Sequence, residues 1–134
     1  MATRVNMRSW TVAVLAVALV AALAACGGDK SSSPRDAVIE AWKADKLAPP
    51  ALTAAQVSFG KDCQGGTIEG IDVMLCNFPS PAEANAAEEA GLAWVGQATG
   101  ASQARGAALI VLADRKKADP NGRTINRLLK LAPK

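Results

Sequence analysis

The apolar positions of this 134-residue chain fall into one continuous run and then a series of short patterned segments. No charge interrupts the run from Ser9 to Ala25, and Arg4 and Arg8 precede it. After the small polar stretch GGDKSSS, residues 27–33, the patterning resumes. Val38 and Trp42 stand four apart with Ile39 beside them, which is the stripe of an amphipathic helix. Ser33 as N-cap, Pro34 at the first helical position and Asp36 three after the cap predict where it starts. Pro49 and Pro50 in LAPP predict that it stops before them.

Alternation follows in QVSFGKDC, with Val57, Phe59 and Lys61, and in IDVMLCNF, with Ile71, Val73 and Leu75 set against Asp72, Met74 and Cys76. Both segments read as strands of an antiparallel hairpin, linked by the Gly-rich QGGTIEG. SPAEANAAEEAGLAWVGQ opens as the first helix does, with Ser80, Pro81 and Glu83, and puts Ala84, Ala87, Gly91, Trp94 and Val95 on one face for close packing on a sheet. TGASQARG then breaks the pattern. AALIVLADR is a continuous apolar run of the kind found in a strand buried on both faces, and strand, helix, strand implies a right-handed crossover with parallel pairing. A last helix is predicted from Asp119 as cap and Pro120, with Ile125, Leu128, Leu129 and Ala132 on its apolar face. The expected architecture is α+β, a small three-stranded sheet packed by about three helices in the order α-β-β-α-β-α, within one domain over residues 34–134.

A basic start, an apolar run and an exit through small residues make residues 1–25 an export signal. The run is shorter than the roughly 20 residues that span a bilayer. It ends in Leu23, Ala24, Ala25 and Cys26, and LAAC in this context resembles the lipobox of bacterial lipoproteins. The resemblance implies diacylglycerol on the Cys26 sulfur, cleavage before Cys26 and acylation of the freed amine. Two or three acyl chains, at about 0.8 kcal/mol per buried CH₂, hold a protein on a membrane. The competing reading is an ordinary signal peptide with a chance cysteine. In the enterobacterial sorting pattern an aspartate directly after the cysteine retains the protein in the inner membrane; Gly27 stands there and Asp29 comes two later, which favours the outer membrane. Residues 26–33 then form a tether between lipid and domain.

With Cys26 set aside, Cys63 and Cys76 remain as a pair, and export to an oxidising compartment makes a disulfide the expected state. A redox pair is the rival, without a C-x-x-C; a zinc site is another, without any histidine to complete it. If the two bond, their strands face each other there and the turn centres near Glu69 and Gly70. A turn at Gly65 and Gly66 would leave Cys76 far along its strand, so the bridge is expected to span a wide loop over residues 64–70.

The whole chain carries a net charge of +3, but losing Arg4 and Arg8 leaves 13 basic against 12 acidic residues. No basic, aromatic-interleaved surface points to nucleic acid. Without histidine the usual general base is missing, and no Gly-x-Ser-x-Gly elbow appears. GGTIEG lacks the P-loop ending and the dinucleotide spacing. No catalytic, metal or cofactor site is expected. Glu69 and Asp72 suggest a carboxylate pair only weakly, since solvated turn and edge positions account for them; Glu83, Glu88 and Glu89 read as capping and solvated residues. GQATGASQARG reads as a mobile lid or a plain helix-to-strand connection.

The densest polar stretch is DRKKADPNGR, residues 114–123, between a buried strand and a helix start, where α/β ligands often bind. Arg115, Lys116, Lys117 and Arg123 are the candidate contacts for an anionic glycan, a phospholipid head or an acidic envelope protein; a solubilising turn is the alternative. The expected function is a membrane-anchored binding or assembly module of the cell envelope. The alternatives are a small envelope enzyme or thiol-redox protein using Cys63 and Cys76 or carboxylates, and a passive structural lipoprotein.

Overall fold

The computed structural model describes residues 32–47 and 51–134. Cys26, the tether as far as residue 31, and Pro49 and Pro50 lie outside the described residues. The elements are α1 (Pro34–Ala44), β1 (Thr53–Val57), β2 (Gly60–Ile68), β3 (Ile71–Asn77), α2 (Pro81–Ala86), α3 (Glu88–Val95), β4 (Thr99–Arg105), β5 (Ala108–Asp114) and α4 (Arg123–Leu131). The fold is α+β, with one five-stranded sheet in the order β1-β2-β3-β5-β4 and every neighbouring pair antiparallel.

The two strands beyond the expected three have separate origins. QVSFGKDC is two strands, because the chain reverses at Ser58 and Phe59 and pairs Val57 with Gly60. TGASQARG is neither a break nor a lid but the whole of β4 followed by the turn glycine Gly106, and the strand pairs with β5 along its whole length. That hairpin also overturns the parallel crossover: β4 brings the chain back along the sheet, so β5 enters antiparallel to β3.

The bridge Cys63–Cys76 joins residues directly opposite in the β2–β3 ladder. The hairpin turns at Glu69 and Gly70, both at positive φ, with Ile68 facing Ile71. No wide loop is needed, because residues 64–68 stay in β2. The diglycine lies inside the strand, and a side chain on Gly66 would run 2.8 Å from Leu52 Cδ2.

Alternation sends Ile71, Val73 and Leu75 of β3, with Ile110 and Leu112 of β5, to the face covered by α1 and α4. Met74, Cys76, Leu109 and Val111 face the other way, toward Ala87 and Val95. β5 is therefore buried on both faces, as its continuous apolar run predicts. The helix expected over residues 80–97 is interrupted at Ala87, and Gly91 sits so close to the sheet that a Cβ there would strike Ser102 Oγ. On the outer side of this layer, the Glu88 carboxylate accepts the Ala104 N–H of edge strand β4 at 2.8 Å.

α1 begins as predicted, with a reciprocal capping box between Ser33 and Asp36. α4 does not: Gly122, at φ 67°, occupies the N-cap position and the helix starts at Arg123. Asp119 still serves this end, since its Oδ2 accepts the Ile125 N–H at 3.0 Å.

The first turn of α1 is latched to the sheet. Arg35 N–H donates to Asn77 Oδ1 at 2.9 Å, and its guanidinium pairs with Asp62 Oδ1 at 2.7 Å. The Asn77 amide, which donates to Asp62 Oδ2, and then the Arg35 guanidinium hold the Asp62 carboxyl below the usual carboxylate range. A depressed folded-state pKa means that the unfolded chain binds the proton first. The latch therefore contributes fully above about pH 5 and is lost as pH falls through the unfolded value near 3.9 toward the lower folded one. Thermal unfolding followed from pH 6 to pH 2 should fall more steeply for the wild type than for Asp62→Asn, the curves converging at the acid end; parallel curves would contradict the latch.

Candidate binding site

The residues after β5 are shaped by two buried acids. Asp114 accepts the Ala118 N–H on Oδ1 at 2.8 Å and the Asp119 N–H on Oδ2 at 2.9 Å, and Asp119 in turn holds Ile125. Three backbone donors that the chain reversal would leave unpaired are thereby satisfied. Lys117 adopts φ 55° within this loop. Opposite it, α3 ends at Val95 and Gly96, at φ 65°, turns the chain toward β4.

Between these two connections lies a cavity of about 700 Å³, lined by Trp94, Gln97, Thr99, Arg115, Lys117 and Pro120 among others. The Arg115 guanidinium carbon stacks 4.1 Å from the centre of the Trp94 ring. Its Nη2 donates to the Trp94 carbonyl at 2.6 Å and its Nη1 to Asp72 Oδ2 at 3.0 Å. A cation over an indole gains about 0.5–1 kcal/mol at an exposed site, and the half-exposed ion pair contributes no more than about 1 kcal/mol. These contacts do more for position than for stability, because they fix a planar cation while two of its five donors are engaged. The Lys117 ammonium adds a second positive charge on the same wall.

Among the sequence candidates, Arg115 and Lys117 meet at this cavity. Lys116 is exposed beside it, and Arg123 opens α4; neither belongs to the lining. Glu69 lies at the tip of the β2–β3 turn, whereas Asp72 anchors Arg115, so the two carboxylates serve different structures. Glu83 and Ser80 form a helix cap, as their spacing predicts. Periodicity assigns Trp94 to the sheet-packing face, and it does pack, half-buried, against the cluster of Met74, Val95 and Val111; what the sequence does not show is that its ring also forms the cavity wall. The signal for that second role is its position in the last turn of a helix, two residues before Gly96.

Ser58 and Lys61 have the Ser-x-x-Lys spacing of some acyl-transfer enzymes. They sit on a hairpin turn and the strand after it rather than on one helical face, both are exposed, and no hydrogen bond joins them among the described residues. The bridge sulfurs are enclosed: Cys63 and Cys76 are buried, and a Cβ on Gly60 would come within 2.6 Å of Cys63 Sγ. Comparison with protein-family models, curated proteins and solved structures finds no match to the chain.

Proposed function

We propose that this protein is a cell-envelope lipoprotein, anchored through lipid on Cys26, that acts as a non-enzymatic binding or assembly module. The observation that carries the reading is LAAC at residues 23–26 behind a basic start and an uncharged run. An aspartate-free position 27 favours the outer membrane. The binding surface in this reading is the Trp94–Arg115 cavity, and its occupant is an anionic glycan or an acidic face of an envelope protein. A guanidinium held flat on an indole offers a rigid edge to an oxyanion and an aromatic plane to a sugar, and Lys117 supplies a neighbouring charge.

The thiol-redox alternative is less well supported. Exchange requires a thiolate to reach a bridge sulfur, and both sulfurs are shielded beneath Gly60. The carboxylate-enzyme alternative loses its pair, since Asp72 is bound to Arg115.

The test is in-cell crosslinking of the tagged protein followed by mass spectrometry. Wild type should yield a diacylglyceryl-modified mature chain beginning at Cys26 and a reproducible captured species. Cys26→Ser should lose both the lipid mass and the processing, and an unchanged mature mass would refute the anchor. Arg115→Glu should keep the lipid mass and reduce capture at least fivefold; undiminished capture would remove the cavity from the reading.

A further inference from the structure

A second cavity, of about 590 Å³, lies at the other end of β3, with Val57, Phe59, Phe78 and Pro79 forming its apolar wall and Lys61 and Glu83 among its polar residues. Asp62 and Asn77, which latch the first turn of α1, also line it. The chain therefore enters the described fold beside this cavity. Six peptide steps separate Cys26 from Ser32, and at no more than about 3.6 Å each they limit the reach of the chain between them to roughly 22 Å. Of the four aromatic residues beyond Cys26, namely Trp42, Phe59, Phe78 and Trp94, two are gathered in this wall, both partly exposed.

From these positions we infer that the Phe59–Phe78 cavity is the face applied to the phospholipid bilayer, an inference that rests on the lipid-anchor reading. Apolar side chains beside a short tether gain by entering the acyl–headgroup boundary, where they leave water without leaving the anchor. Of the rim charges, Lys61 can meet lipid phosphate and Asp62 is already paired with Arg35; Glu83 is the one that opposes an anionic surface, and it is held back in the α2 cap by the Ser80 hydroxyl. The same orientation turns the other cavity outward. Asp72, which holds Arg115, is five residues from Asn77 along β3, or about 17 Å. A bilayer at the Asn77 end leaves Arg115 directed into the envelope space, while the Trp94 ring reaches back between the two faces, lining a shallow pocket with Val57, Ser58 and Phe59.

The experiment uses the mature protein reconstituted in vesicles of phosphatidylethanolamine and phosphatidylglycerol doped with a brominated phosphatidylcholine. Tryptophan is introduced by Phe78→Trp, by Ser58→Trp on the exposed hairpin turn as a second probe of that face, and by Lys116→Trp at the opposite end. Bromolipid quenching in excess of the wild type should be at least twofold greater at positions 78 and 58 than at 116. Intact mass of the same samples reports the anchor. A lipidated mass with equal quenching at both ends, or with none at 78 and 58, overturns the orientation and leaves the anchor intact. A mass without lipid overturns both. Crosslinking of the 58 and 78 positions to an envelope protein, with no quenching, assigns the face to a protein partner and overturns the bilayer assignment.

Discussion

Replacing Trp42 with alanine should lower the unfolding free energy by about 3–5 kcal/mol, a large share of the roughly 5–15 kcal/mol typical of a small domain. Trp42 is fully buried between α1, α4 and the sheet, and its indole N–H donates to the Leu128 carbonyl at 2.8 Å. Truncation removes the largest side chain in a core otherwise filled by aliphatics and leaves a cavity that Val38, Ile71 and Leu128 cannot fill without moving backbone. It also leaves the buried Leu128 carbonyl, near the end of α4, short of a partner. Trp42→Phe separates the two contributions. It keeps most of the apolar volume and loses the hydrogen bond, so a smaller loss of about 1–2 kcal/mol is expected. Equilibrium urea unfolding followed by circular dichroism measures both. A loss below about 1 kcal/mol for the alanine variant would mean that α1 does not pack on α4 in solution.

The double replacement Cys63→Ala with Cys76→Ala should cost about 3 kcal/mol, the chain-entropy value for a closed loop of this size. For a domain of about 100 residues that corresponds to a fall in Tm on the order of 10–20 °C. The bridge joins β2 to β3, on which the β1 hairpin depends for its attachment, so the loss should appear first as exchange of β1 and β2 amides. Reducing the unfolded wild type and refolding it under reductant should reproduce the Tm of the double variant. Native wild type should resist the same reductant, because its sulfurs are covered. Rapid reduction of the native protein without loss of structure would revive the redox reading, and an unchanged Tm in the double variant would mean that the bridge does not stabilise the fold.

What was legible in the sequence is what local chemistry specifies. The α1 cap needs only Ser33, Pro34 and Asp36, and the double burial of β5 follows from an apolar run without alternation. Facing Cys63 and Cys76 put the turn at Glu69 and Gly70 correctly. The failures share another cause. β4 reads as a connection because Gly100, Ala101, Ser102 and Ala104 have weak strand preference and little apolar surface. Those small residues suit the close seat beneath α3, where Gly91 leaves no room for more, a requirement visible only once the helix is placed. Missing β4 then forced the parallel assignment for β5. The diglycine reads as part of a wide loop for a similar reason: what Gly66 accommodates is Leu52, fourteen residues earlier in the chain. At the cavity, the basic loop announced Arg115 and Lys117 by composition. For Trp94 the helical period reads the packing on the sheet-side cluster but says nothing of the guanidinium carried on its ring.

The carboxylate of Glu88 on the Ala104 N–H has a consequence for how the molecule behaves in company. β4 is a regular, unbulged edge with no proline and no charge before Arg105, the kind of rim onto which another chain's strand can zip. Glu88 occupies one of its donors and sets a negative charge where an incoming carbonyl would have to lie. β1 is guarded differently, by its brevity and by the irregularity between Ala55 and Val57. Each rim of the described sheet thus carries an obstacle to strand addition supplied from within the chain, which disfavours edge-to-edge pairing between copies.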